Sequence, residues 1–286
     1  MYADKEAAYY LRAENRNRES VYGLETNGIA GKDGSAVMQH FFVEPSQIME
    51  KEIRITGADV NHIRKVLRMK EGEELSIGNG MDDTEYRCRI DHFTEDEVVC
   101  RICFIKEDGV ELPARIYLFQ GLPKSDKMEL IVQKAVELGV YEIIPVVTKR
   151  TVVKLDDKKA KSKTARWQAV SEAAAKQSKR AVIPVVRDPM TMQEAVAYAK
   201  GMEAKAIPYE LAKGMEAARA WFSFAVEAAD IAIFIGPEGG FEESEIDLAK
   251  EAGITPISLG RRILRTETAG LTILSILMYQ LETKDI

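Results

Sequence analysis

The stretch Ile231-Ala232-Ile233-Phe234-Ile235-Gly236-Pro237-Glu238-Gly239-Gly240-Phe241 is a continuous apolar run that stops at a glycine and opens into the helix-forming segment Glu242–Ala252. A short apolar run bounded by Gly and Pro reads as a strand buried on both faces. The glycines after it let the backbone approach a ligand closely and adopt conformations closed to other residues. Working outward, the pattern repeats. Ile116–Phe119, Ile143–Val147, Ile183–Val186 and Ala204–Ile207 are further apolar runs. Helical stretches lie between the runs, among them Met128–Leu138, Ala165–Gln177 and Met215–Glu227. Strands separated by helices of this length imply right-handed crossovers, so the fold from Pro113 onward is α/β with a mainly parallel sheet. In such sheets ligands collect at the carboxyl ends of the strands.

A second loop lies in such a place. Leu259-Gly260-Arg261-Arg262-Ile263-Leu264-Arg265-Thr266-Glu267-Thr268-Ala269-Gly270 follows the short strand Pro256–Leu259 and leads into the most apolar helix, Ala269–Leu281. Three arginines, a glutamate and two threonines crowd the approach to a buried helix, which a merely structural turn does not need. Neither loop is a P-loop, because no Lys-Ser or Lys-Thr follows the glycines. The spacing G-x-G-x-x-G is absent too, which argues against a dinucleotide-dependent oxidoreductase.

The segment before Pro113 differs. Met38-Gln39-His40-Phe41-Phe42-Val43 begins a small β-rich domain with candidate strands Leu75–Ile77, Thr84–Ile90 and Val98–Lys106. Turn signals at Gly78-Asn79-Gly80 and Asp108-Gly109 separate them. One short helix, Asp59–Arg68, carries Val60, Ile63, Val66 and Leu67 on its apolar face. Residues 1–37 read as a separate extension: Arg12–Glu19 is polar, and Gly28, Gly31, Gly34 and Ser35 suit a flexible linker. Cys100-Arg101-Ile102-Cys103 is a C-x-x-C, but on a strand positions three apart face opposite ways. With only Cys88 remaining, reduced strand cysteines are expected rather than zinc.

Apolar content of 46% and charged content of 30% are those of a globular protein. No N-terminal basic head with an apolar middle marks a secretory signal. The longest uncharged apolar run, Thr268–Leu281, is 14 residues and too short to span a bilayer. A cytoplasmic protein is expected. The net charge of −6 hides an asymmetry. Lys149 to Arg180 holds eleven Lys and Arg against Asp156, Asp157 and Glu172, a net of +8. Such a stripe suits RNA phosphates, or forms a solvated helix face.

At the two loops the sequence resembles a known family. G-P-E-G-G followed by L-G-x-x-I-L-R-x-E-T-A is similar to the knotted methyltransferases called SPOUT. More narrowly, it resembles the bacterial 16S ribosomal RNA uracil-N3-methyltransferases (the RsmE type). The resemblance runs from Met38 to the C-terminus and includes His62–Arg68, Lys124–Glu129, Gln133–Val140 and the Glu172…Gln177…Arg180 helix. Position 242 departs from it, being Glu where the family tends to a small hydroxyl residue, a weaker helix cap.

The resemblance implies a PUA-like β-barrel over 38–110, with residues 1–37 an extension outside the family pattern. Over 111–286 it implies a catalytic domain with a C-terminal trefoil knot. It implies S-adenosyl-L-methionine as cofactor, held by Ile235 to Gly239, by Leu259, Gly260, Ile263 and Leu264, and by Thr268 and Ala269. Pro208, Tyr209 and Glu210 would form a third wall. Arg265 would face the uracil carbonyls or a phosphate. Glu267 would be a base or orienting group, or else an ion-pair partner of a neighbouring arginine. Lys124, Lys127, Lys134, Glu172, Gln177 and Arg180, with Arg64 and Arg68 from the small domain, would meet 16S rRNA within the small ribosomal subunit. The family also works as a homodimer, which suits the apolar last helix as well as packing within one subunit does. No metal and no membrane partner is implied, since His40, His62 and His92 show no ligand spacing. Two other functions compete: a knotted ribose 2′-O-methyltransferase acting on rRNA or tRNA, and a non-catalytic RNA-binding factor.

Overall fold

A computed structural model describes residues 38–106, 109–153, 155–212 and 214–283; the extension expected over 1–37 lies outside them. The chain divides into two compact units, one running to Val110 and taking in Lys179–Val182, the other formed by Glu111–Ser178 and the residues from Ile183 onward.

In the first unit, β1 (His40–Phe42), β2 (Glu52–Thr56), β3 (Glu74–Gly78), β4 (Glu85–Phe93) and β5 (Glu97–Lys106) form one sheet in the order β1-β3-β4-β5-β2. Only the β1–β3 pairing is parallel. Irregularities in the β4–β5 register at Arg87/Cys88 and Ile90/His92 bend the strands, as bulges do. The sheet curls around Ile53, Ile55, Ile63, Leu75, Ile77, Ile90 and Val98. Cys100 is buried and Cys103 exposed, the opposite-face arrangement that strand geometry requires, and all three cysteines are free thiols. Burial pushes the Cys100 thiol up to about 12, which leaves it unreactive.

The expected helix Asp59–Arg68 is present but differently wound. A single α turn, α1 (Ala58–Asn61), passes into a π turn over His62–Leu67, and Arg68 closes it in the left-handed conformation, φ 55°. The wider π turn rotates later residues out of α register. Val66, expected on the apolar face, is therefore 66% exposed, while Val60 and Ile63 stay buried.

In the second unit the elements follow as β6 (Arg115–Gly121), α2 (Lys127–Glu137), β7 (Glu142–Val147), α3 (Asp157–Ser178), β8 (Val185–Val186), β9 (Met190–Thr191) and α4 (Met192–Tyr198). Then come β10 (Ala204–Pro208), α5 (Glu216–Ala225), β11 (Asp230–Ile235), α6 (Glu243–Glu251), β12 (Thr255–Ile257) and α7 (Thr266–Glu282). The sheet runs β12-β10-β11-β6-β7-β8, with β9 also on β7, and every pairing in it is parallel. Its centre is β11 against β6, where Phe119 and Phe234 stack at 4.3 Å with rings 3° apart. Burying such pairs on both faces is what the continuous apolar runs are for.

Glu242 does start α6, despite its weak capping character. Glu245 Oε2 accepts from the Glu242 backbone N–H at 2.9 Å, and Glu245 Oε1 accepts from Lys149 N at 2.9 Å. The Glu242 side chain also accepts from Arg150 Nε at 2.8 Å. After β12 at the sheet edge the chain returns to mid-sheet, where α7 packs on α2 and β11. This return is the segment that the sequence resemblance expects to form the C-terminal trefoil knot.

Candidate functional site

Three loops at the carboxyl ends of β10, β11 and β12 enclose a cavity of about 450 Å³. The first contributes Pro208, Tyr209 and Glu210. The second contributes Ile235, Gly236, Pro237, Glu238, Gly240 and Phe241. The third contributes Ser258 through Thr266, together with Ala269 from the first turn of α7. The sequence-predicted residues Leu259, Gly260, Ile263 and Leu264 are all in this wall, and so is Arg265. Gly239 and Thr268 are not. Gly239 instead packs against Arg150, whose Nη1 donates to the Gly239 carbonyl at 2.8 Å, and a Cβ there would lie 3.1 Å from Arg150 Cβ. Gly240 has φ 68° and Gly260 φ 115°, so each loop turns where side chains are disfavoured.

A buried hydrogen-bond chain ties the loops together. Gln120, fully buried at the end of β6, donates from Nε2 to Thr266 Oγ1 at 2.8 Å and to the Gly121 carbonyl at 2.9 Å. Thr266 Oγ1 in turn donates to the Gly236 carbonyl at 2.6 Å. Three elements distant in sequence are thereby fixed at one point beneath the cavity. The sequence signal for Gln120 is a lone amide inside an apolar strand, a signal not taken up from the sequence. Thr266→Val keeps the shape of the side chain but removes one donor and one acceptor from a closed site. An unsatisfied buried polar group costs about 1–3 kcal/mol. Urea unfolding of the variant is expected to show that loss of stability as a lowered midpoint with an unchanged slope.

The charged groups divide into paired and unpaired ones. Among the described residues no hydrogen-bond or ion-pair partner engages the guanidinium of Arg261, Arg262 or Arg265. All three side chains are exposed at the cavity rim. The carboxylates on the other side are bridged by one lysine: Lys127 Nζ lies 3.0 Å from Glu238 Oε1 and 3.4 Å from Glu267 Oε2. Glu238 also accepts from the Lys124 backbone N–H at 3.1 Å. Burial pushes the Glu238 carboxyl up, but its own backbone N–H, Lys127 and Lys124 outweigh that and hold it below the ordinary carboxylate range. The bridge therefore persists above that range and is lost as pH falls through the lowered value. Glu267 pairs with Lys127, not with a neighbouring arginine, and does not line the cavity.

The residues expected to meet RNA are placed unevenly. Lys124 and Gln177 are exposed on the second unit, and Arg68 is exposed on the first. Lys134 is bound to Glu137 at 2.8 Å and Glu172 to Lys176 at 3.2 Å, pairs that an approaching phosphate would have to open. Arg64 donates to the backbone carbonyls of Thr94 and Glu95 and lies over the Phe93 ring at 5.1 Å, so it braces its own loop. Arg180 is only 4% exposed, which removes it from the surface set. The basic stripe itself lies largely on α3, where Lys158, Lys159, Lys161 and Arg166 are exposed. No helix among the described residues is long and apolar enough to cross a membrane, and none of their His, Cys, Asp and Glu groups is placed to hold a metal ion.

Comparison with known proteins adds independent findings. Residues 110–278 match the family described as an RNA methyltransferase domain, and residues 55–103 match an RNA methyltransferase PUA domain. The chain is 38% identical over 252 residues to ribosomal RNA small subunit methyltransferase E of Bacillus subtilis, covering 86% of this chain and 98% of that one. A methyltransferase of Legionella pneumophila, solved with the bound cofactor SAM, is 34% identical with a TM-score of 0.69, covering 90% and 98%. The ribosomal RNA small subunit methyltransferase E of Neisseria gonorrhoeae, bound to S-adenosyl methionine, is 28% identical with a TM-score of 0.73, covering 85% and 98%.

Proposed function

The chain belongs to the ribosomal RNA small subunit methyltransferase E family of knotted SPOUT RNA methyltransferases, and on that premise we propose that it methylates N3 of one uridine in 16S rRNA using S-adenosyl-L-methionine. The observation that carries the reading is the cavity where three carboxyl-end loops meet, with unpaired arginines on its rim. Its volume lies within the roughly 300–1,000 Å³ of small-molecule sites. Gly236 fits the role of a close-approach residue, since a Cβ there would stand 3.1 Å from the Gly240 backbone. Apolar walls at Ile235, Leu259, Leu264 and Phe241 suit an adenosine, and the carboxylates of Glu210 and Glu238 suit a cationic ligand. Solved relatives that carry the same ligand support this assignment.

The cofactor supplies an activated methyl group; the protein must position the base and take its proton. Ile235–Glu238, Leu259, Gly260, Ile263, Leu264 and Ala269 hold the cofactor, with Pro208, Tyr209 and Glu210 as third wall. Gly239 and Thr268 act through the backbone of their loops. Arg265 presents its guanidinium to charge growing on the uracil carbonyls. Glu267 accepts the N3 proton, poised for it by Lys127.

RNA phosphates meet Lys124, Gln177 and the α3 stripe, and these contacts position the substrate without reading sequence. Residues 38–110 act as the RNA-gripping PUA-like domain, 111–286 as the catalytic domain and 1–37 as an appended segment. The substrate is 16S rRNA in the assembled small subunit, in the cytoplasm. Two copies of the chain pair through α7, whose Ile276 and Tyr279 are 36% and 67% exposed, beside Leu130 of α2 at 45%.

The test is transfer of labelled methyl from S-adenosylmethionine to small ribosomal subunits lacking the modification, followed by nucleoside analysis. Label in N3-methyluridine is expected. Label in a 2′-O-methyl nucleoside would move the chain to ribose chemistry, and RNA binding without transfer would make it a non-catalytic factor.

A further inference from the structure

Glu267 poses a problem that proton transfer alone does not resolve. Its Oε2 is shielded from solvent and makes no hydrogen bond, and its one charge partner, Lys127 Nζ, stands at 3.4 Å. A shielded carboxylate oxygen whose nearest donor stands at 3.4 Å, outside good hydrogen-bond geometry, calls for an explanation. Lys127 has the complementary surplus: an ammonium carries three donors, and among the described residues its one contact near 3 Å is to Glu238 at 3.0 Å. Arg265 leads into the same helical turn as Glu267, and its guanidinium has no partner among the described residues. Arg265 in the cavity wall and the Lys127–Glu267 pair outside it thus offer two cationic donors and one acceptor with capacity to spare.

Uracil presents the matching edge. Its O4, N3–H and O2 read acceptor, donor, acceptor, whereas cytosine offers a donor at N4 and acceptors at N3 and O2. We propose that Lys127, Glu267 and Arg265 form a donor–acceptor–donor edge that selects uracil over cytosine, with Lys127 as its specificity-determining residue. Glu267 meets N3–H, and the two cations meet the flanking carbonyls. Cytosine would set its N4 amino group against one of the cations and its N3 lone pair against the carboxylate. Sites built to hydrogen-bond a substrate reject a mismatched one strongly, because their own polar groups are then left unpaired. The bridge to Glu238 holds Lys127 in place until the base arrives.

This inference rests on the N3-methylation reading and is tested separately from it. Small subunits are reconstituted with 16S RNA bearing either U or C at the methylated position. Their binding to the S-adenosylhomocysteine-loaded protein is measured for the wild type, Lys127→Met and Glu267→Gln. Wild type is expected to prefer U. Lys127→Met is expected to lower that preference about 10- to 100-fold, the effect of one good base-edge contact. Its affinity for S-adenosylhomocysteine alone should be unchanged. Glu267→Gln, whose amide can donate to cytosine N3, should gain affinity for the C-bearing subunit. If Lys127→Met lowers thermal stability and U and C binding equally, the lysine only neutralises two carboxylates and the proposal fails. If the wild type makes no N3-methyluridine, the functional reading beneath it fails instead.

Discussion

Arg265→Ala is expected to slow methyl transfer about 100- to 1,000-fold, the loss found when one preorganised donor to developing charge is removed. Affinity for S-adenosylmethionine should change by no more than a few fold. The asymmetry follows from where the residue stands. Arg265 is the N-cap of α7, with φ −68° and ψ 157°, an extended conformation open to alanine. Its side chain caps nothing, and its guanidinium has no partner among the described residues. Truncation therefore removes little that holds the fold, and the melting temperature should move by a degree or two. Arg265→Lys keeps the charge but loses the planar fork, so it should recover only part of the rate. Single-turnover transfer to small subunits, beside calorimetric titration with the cofactor, separates the two quantities. A variant at near wild-type rate would remove Arg265 from the chemistry and leave Arg261 or Arg262 to supply the charge.

The α/β framework was readable because its strands are continuous apolar runs, and burial on both faces demands such runs. β2 is not legible, because Ile53 and Ile55 are only two apolar residues alternating with Glu52, Arg54 and Thr56, too brief an alternation to stand out. α4 also escaped, although Thr191 and Glu194 form a capping box with both bonds made. The signature is in the sequence, but the helix it starts has only seven residues. α3 begins at Asp157, eight residues before the expected start at Ala165, because its lysine-rich first half has no apolar stripe to read. The cavity was legible for a different reason: glycines mark where backbone must come close, and arginines beside an apolar helix need a purpose. The Lys127 bridge was not legible. It joins three segments that meet only after the C-terminal part of the chain returns to mid-sheet, and nothing local in Lys124–Glu129 distinguishes a lysine facing carboxylates from one facing solvent.

The return also decides which glycines can change, and two of them should respond oppositely. A Cβ on Gly121, the last residue of β6, would stand 2.6 Å from both the nitrogen and Cδ of Pro237, and 2.9 Å from the Gly236 carbonyl carbon. The obstacle is backbone and a ring, so neither can rotate away. Gly121→Ala must push the β11 loop outward, and that loop carries the Gly236 carbonyl held by Thr266 and one wall of the cavity. Overpacking of this kind costs about 1–3 kcal/mol. If the displaced loop forfeits two cofactor contacts, cofactor affinity falls about 100-fold, at tenfold per 1.4 kcal/mol. Gly270 sits inside α7, where an added Cβ meets Gln120, Ile235 and Leu118 at 3.6 to 4.0 Å, ordinary contact distances. There the helical preference of alanine acts alone, and Gly270→Ala should stabilise the protein by about 1 kcal/mol. Urea unfolding with and without S-adenosylmethionine reads both effects together. The ligand should raise the midpoint of Gly270→Ala as it does that of the wild type, and should barely move that of Gly121→Ala. Equal ligand-induced shifts in both variants would mean that the contact between β6 and Pro237 does not shape the cavity.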